Sequence, residues 1–140
     1  MNRRTLTVAG LAAAGVLLAI GALALARGGD GGIAGPGARH TVLAPIDGLD
    51  IQVLESSPPQ YRLVIRAGLP SGCAMRHSHD VSRSGETITV TVLNSMPTGD
   101  PVCTMIYGTY ELNIDLGSDF RSGATYTVRV NDREMTFTAQ

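Results

Sequence analysis

The sequence predicts an all-β domain, a two-sheet antiparallel sandwich of seven strands, held behind one N-terminal transmembrane helix. Three observations predict it. Residues 5–26 carry no charge, apolar side chains recur at every second position in short runs after residue 40, and no later segment shows a helical stripe.

The first element is the uncharged run TLTVAGLAAAGVLLAIGALALA, 22 residues long. About 20 apolar residues cross a bilayer as a helix. Arg3 and Arg4 precede the run and Arg27 ends it. The paired arginines hold the N-terminus in the cytoplasm and send the remainder outside. Residues 1–26 are therefore expected to be a signal anchor, with the cell membrane as location and the lipid bilayer as first partner. The alternative is secretion after cleavage at Ala22-Leu23-Ala24 or Ala24-Leu25-Ala26. A secretory core is usually about 7 to 15 residues, so the length favours retention. Residues 27–39, RGGDGGIAGPGAR, contain six glycines. As a flexible linker they reach about 20 Å. Gly29-x-Gly31 lacks the flanking strand and helix that a phosphate-binding loop requires.

Residues 40–140 form the expected domain. Leu49, Ile51 and Val53 alternate with Asp50 and Gln52, and Ser56-Ser57-Pro58-Pro59 ends that strand. Tyr61, Leu63, Ile65, Ala67 and Leu69 form the next, interleaved with Arg62 and Arg66. A less regular strand covers residues 75–83, and Arg83-Ser84-Gly85-Glu86 turns the chain into Ile88, Val90 and Val92, with Thr87, Thr89 and Thr91 opposite. Tyr110, Leu112, Ile114 and Leu116 make the fifth strand, and Tyr126, Val128 and Val130 the sixth. Asn131-Asp132-Arg133 then turns into Met135 and Phe137.

Charge restricts the partners. Every one of the 11 cations is Arg, and residues 28–140 hold eight of them against 12 acidic residues, a net of −4. That balance speaks against nucleic acid, which needs a basic face.

Tyr126 opens its strand shortly after the turn at Gly123, a placement that resembles the tyrosine corner of immunoglobulin-like sandwiches. Four further motifs are Leu-Pro-x-Gly-Cys at residues 69–73, Arg-x-Gly-x-Thr at 83–87, Val102-Cys103, and Gly-x-x-Tyr-x-Val-x-Val-Asn at 123–131. In these the chain resembles a recurrent group of secreted bacterial domains over residues 46–137. The resemblance implies a fold and no activity.

Few residues point to chemistry. Cys73 and Cys103 are the two cysteines, each near a strand end, and an exported domain is expected to join them. The loop 96–106, with Met96, Pro97, Gly99, Asp100, Pro101 and Met105, is the longest irregular stretch and the candidate interaction surface. His77 and His79 stand at i and i+2, where side chains on a regular strand share one face. With Met75 and Cys73 at the same parity, copper or zinc binding is the alternative function. Nothing supplies a further ligand, so no cofactor is expected. Asp47, Asp50, Asp115, Asp119 and Asp132 fit no calcium-loop spacing and are expected to be solvated strand ends. No Gly-x-Ser-x-Gly, His-Glu-x-x-His or phosphate loop occurs, and Ser78, His79 and Asp80 are strand neighbours pointing to opposite faces. The expected role is recognition of a protein or glycan, without catalysis.

Overall fold

The computed structural model describes residues 37–140. The uncharged run 5–26 and the linker up to residue 36 lie outside the described residues. Eight strands follow in order: β1 (Arg39–Leu43), β2 (Ile46–Leu54), β3 (Gln60–Leu69), β4 (Met75–Ser84), β5 (Thr87–Pro97), β6 (Gly108–Gly117), β7 (Thr125–Val130) and β8 (Arg133–Thr138). They form two sheets. The smaller is β2-β3-β6, and the larger joins β1, β4, β5, β7 and β8 around β5.

All seven expected strands are present. The eighth, β1, corrects the count and moves the start of the domain into what read as linker, because Arg39 is already paired. Its sequence Arg-His-Thr-Val-Leu carries no alternation and is almost wholly exposed. Backbone pairing holds it, from Arg39 opposite Pro97 to Leu43 opposite Leu93. The Arg39 side chain adds to this: Nε donates to Ser95 Oγ at 3.0 Å, and Nη2 to the Ser95 and Cys73 carbonyls at 2.8 and 2.7 Å.

The second correction concerns direction. β5 pairs with β7 in parallel, from Thr87 opposite Thr127 to Val90 opposite Val130, so the larger sheet is mixed and not purely antiparallel. The chain leaves β5, crosses to the other sheet as β6, and returns as β7. This departs from the wholly antiparallel immunoglobulin-like arrangement. β5 is long enough for β7 to take residues 87–90 of one edge while β1 takes residues 93–97. β4 lies along the other edge.

Asn131 closes the junction between β1 and β7. Its Oδ1 accepts from Val92 N–H at 2.9 Å, and its Nδ2 donates to the Ala44 and Val92 carbonyls at 2.7 and 2.9 Å. Its φ of 50° turns the chain from β7 into β8, a conformation Asn tolerates better than most residues.

The core follows from the period of two. Leu63, Ile65 and Ala67 of β3, Leu112 and Ile114 of β6, Ile88, Val90 and Val92 of β5, and Val128 and Val130 of β7 meet between the sheets. At one end Tyr61, Phe120, Tyr126 and Phe137 pack as an aromatic cluster, with ring centroids 4.8 to 5.6 Å apart. Tyr126 Oη accepts from Arg121 N–H at 2.9 Å, so the hydroxyl bonds back into the loop before its strand.

Candidate functional site

The most distinctive surface is built around the cystine. Cys73 and Cys103 are bonded, with Cα atoms 5.5 Å apart. Cys73 follows the turn after β3, and Cys103 lies midway along the connection 98–107 from β5 to β6. The expected loop began two residues too early. Met96 and Pro97 belong to β5, paired with His40 and Arg39, since proline is tolerated at the end of a strand. Asp100, Pro101 and Met105 do lie in the loop.

Thr98 fixes the start of the loop through its N–H and Oγ1 bonds to the Ala38 carbonyl, and two contacts besides the cystine tie down the remainder. Gly72 N–H donates to the Thr104 carbonyl at 2.9 Å. Tyr107 Oη donates to the Asp47 carboxylate, 2.9 and 3.0 Å from its two oxygens. Both require glycine beneath. A Cβ at Gly68 would run into the Tyr107 hydroxyl, and one at Gly72 into Thr104 Oγ1. The Tyr107 hydroxyl is pushed above its ordinary pKa, first by the hydrogen bond to Asp47, then by desolvation and the carboxylate charge.

Held this way, the loop turns apolar side chains to solvent. Val102, Met105 and Ile106 are 102%, 88% and 70% exposed, and Met75 beyond the same cystine is 56% exposed. Asp100 and Pro101 are exposed beside them. Single exposed apolar residues are ordinary, but three within five positions of a pinned loop form a patch.

The histidines are arranged differently from the expectation. β4 pairs Arg76 with Asn94 and Ser78 with Leu93, leaving His77 as the extra residue of a bulge. His79 opposes Val92, so the regular alternation that a shared face depends on breaks between the two. Cys73 is in the cystine and offers no thiolate. Among the described residues no group of three or more His, Cys, Asp or Glu side chains is placed to hold an ion. The aspartates are dispersed as well: Asp47 accepts from Tyr107, Asp115 pairs with Arg62 at 2.7 Å, and Asp119 lies 4.0 Å from Arg83.

Sequence reasoning missed a second surface, on the outer face of β2-β3-β6. A shallow concavity of about 270 Å³ is lined by Gly48, Leu49, Asp50, Gln52, Val64, Arg66 and Glu111. A neighbouring one of about 180 Å³ shares Gly48 and Leu49 and continues to Arg133, Glu134 and Met135 of β8. Their cause is a bulge at Asp47, which breaks the register between Ile46 and Gly48.

Fold and cystine together define a small disulfide-stapled β-sandwich domain. The chain belongs to the ORF11 beta-sandwich domain family, whose family model matches residues 63–139, from within β3 to just past β8. It is also similar to an uncharacterized 10.2 kDa protein in the HgiCIIM 5' region of Herpetosiphon aurantiacus. The two are 32% identical over 87 residues, which span 62% of this chain and 90% of that one. No solved structure matches the chain.

Proposed function

We propose that the chain is a bacterial recognition module of the cell envelope. Residues 5–26 tether it to the membrane, and the loop 98–107 engages a protein or glycan outside the cell without catalysis. The observation that carries this reading is the pinned loop. A cystine, a backbone hydrogen bond and the Tyr107–Asp47 contact order ten residues, among which Val102, Met105 and Ile106 stand in solvent. Ordering a loop costs conformational entropy, and an exposed apolar patch on a preordered loop favours association by lowering that cost at the moment of binding. The cystine supports an oxidising compartment, and the uncharged run supports anchorage there.

The test places a photo-activated cross-linking residue at Met105 or Ile106 of the full chain in its native cells, with Thr89 as control. A discrete adduct is expected at the loop positions, absent at Thr89 and lost when Val102 and the remaining loop apolar residue become Ser. Equal labelling at all three sites, or adducts indifferent to the Ser changes, overturns the reading.

A further inference from the structure

The concavity on β2-β3-β6 has the chemistry of a ligand site separate from the loop. Its centre is Arg66 of β3, flanked in register by Gly48 of β2 and Glu111 of β6. Glu111 stands directly opposite, yet Arg66 makes no ion pair with it or with any other acid among the described residues. The guanidinium instead leans over Gly48, where its Nη2 lies 2.8 Å from the place a Cβ would take. Glycine at the bulge therefore leaves the arginine fork lying open along the concavity. One residue pair further along, Asp50 and Asn113 flank Val64, whose side chain forms an aliphatic floor.

We propose that this groove binds a hydroxylated carboxylate of the uronic-acid class, the carboxylate on Arg66 and the ring hydroxyls on Asp50, Gln52 and Glu111. An open arginine fork matches a planar carboxylate through two parallel hydrogen bonds. Asp50 and Glu111 are acceptors only when ionised, so they repel a second anion and favour groups that donate. They sit on β2 and β6, on either side of β3 and two residues out of register. Two strand spacings across and two residues along separate them, roughly 12 Å, which is too wide for one ammonium group and within reach of the hydroxyls around a sugar. The neighbouring concavity extends the path toward Arg133, so a chain of such sugars follows the groove.

The test titrates trigalacturonate into the isotope-labelled full chain in detergent micelles, following backbone amides by NMR. Saturable shifts are expected at Leu49, Val64, Arg66 and Glu111. Arg66→Gln is expected to weaken binding about tenfold or more, the loss of a charge-assisted hydrogen-bond pair. The same spectra report whether that variant is folded. Arg66→Lys is the second variant, keeping the charge and losing the fork, with an intermediate loss expected. Equal binding of neutral maltotriose removes the carboxylate from the proposal, and equal binding of triglutamate removes the hydroxyls; either result overturns it. Shifts that never saturate, or that saturate at the same concentration in Arg66→Gln, overturn it too. Serine changes in the loop 98–107 are expected to leave these shifts unchanged, so failure here and failure of the loop reading are distinguishable.

Discussion

At the residue scale, two side chains hold distant parts of the backbone together. Asn131 satisfies backbone groups of β5 and of Ala44 just past β1 at once, bridging the two strands that share that edge of β5. Asn131→Ala removes those bonds and also places a Cβ without local hydrogen bonding at positive φ, so it mixes two costs. Asn131→Gly isolates the first. We expect Asn131→Gly to lose about 2 kcal/mol in urea unfolding, since backbone groups left unsatisfied cost about 1–3 kcal/mol. A loss within the error of the measurement would mean that water replaces the amide without penalty. Tyr107 makes a prediction of the opposite kind, one that depends on pH. The fold raises its pKa and so favours the neutral hydroxyl. That contribution is complete below the unfolded value near 10 and is lost as pH rises through the folded value. Tyr107→Phe should therefore remove one late-titrating phenol from the ultraviolet titration and flatten part of the stability decline above about pH 10. Tyr110 is also raised, by burial opposed by Arg76, so Tyr110→Phe is the necessary comparison. Loss of a phenol that titrates at the ordinary value, rather than of a late one, would show that the Asp47 contact does not persist in solution.

At the element scale, the strands differ in how they announce themselves. β3 and β5 alternate so regularly that Leu63, Ile65, Ile88, Val90 and Val92 are core on pattern alone, and all are buried. β1 gives no such signal, because neither face meets the core and its bonds go to a strand more than fifty residues away. β4 is legible as a strand, yet all ten of its residues are exposed. Its inward positions, opposite the buried Ile88, Val90 and Val92, are Arg83, Val81 and His79. Arg83 covers the Phe120 and Tyr126 rings at 4.5 and 5.3 Å, packing its charge over aromatic faces at the rim of the core. The candidate loop was legible in one respect, the cystine, because only two cysteines exist. The Tyr107–Asp47 contact and the outer-face groove were not, since each depends on the bulge at Asp47, which leaves no mark on the period-two pattern. Gly68 is a further test of the loop. Gly68→Ala is expected to displace Tyr107 and raise proteolytic nicking within 98–107 while leaving the global unfolding midpoint within a few degrees of the parent. Unchanged nicking would show that the ring does not rest on that strand.

At the scale of the whole molecule, the cystine has a role in how the sandwich is assembled. β3, the central strand of the smaller sheet, pairs with β6 at its edge, beginning with Leu69 opposite Gly108. Along the backbone that pairing closes a loop of about forty residues, but through Cys73–Cys103 the path shortens to about ten. The staple makes a long-range pairing behave as a local one, in a fold that has two more long-range pairings, β5 with β7 and β1 with β5, beside its hairpins. Closure entropy grows with the logarithm of loop length with a coefficient of about 3/2, so the oxidised chain is expected to refold about five- to tenfold faster than the paired Cys73→Ser, Cys103→Ser variant. The same variant should lose roughly 3.5 kcal/mol of equilibrium stability, as the chain-entropy relation gives for a loop of this size. Stopped-flow refolding of the full chain separates two cases. If the loss appears mainly in the refolding rate, β3 and β6 pair before the rate-limiting barrier and the larger sheet assembles on them. If refolding is unchanged and unfolding accelerates, the two strands meet only after that barrier. The parallel β5–β7 pairing, which waits for the chain to pass through β6, would then have to form without the smaller sheet as its platform.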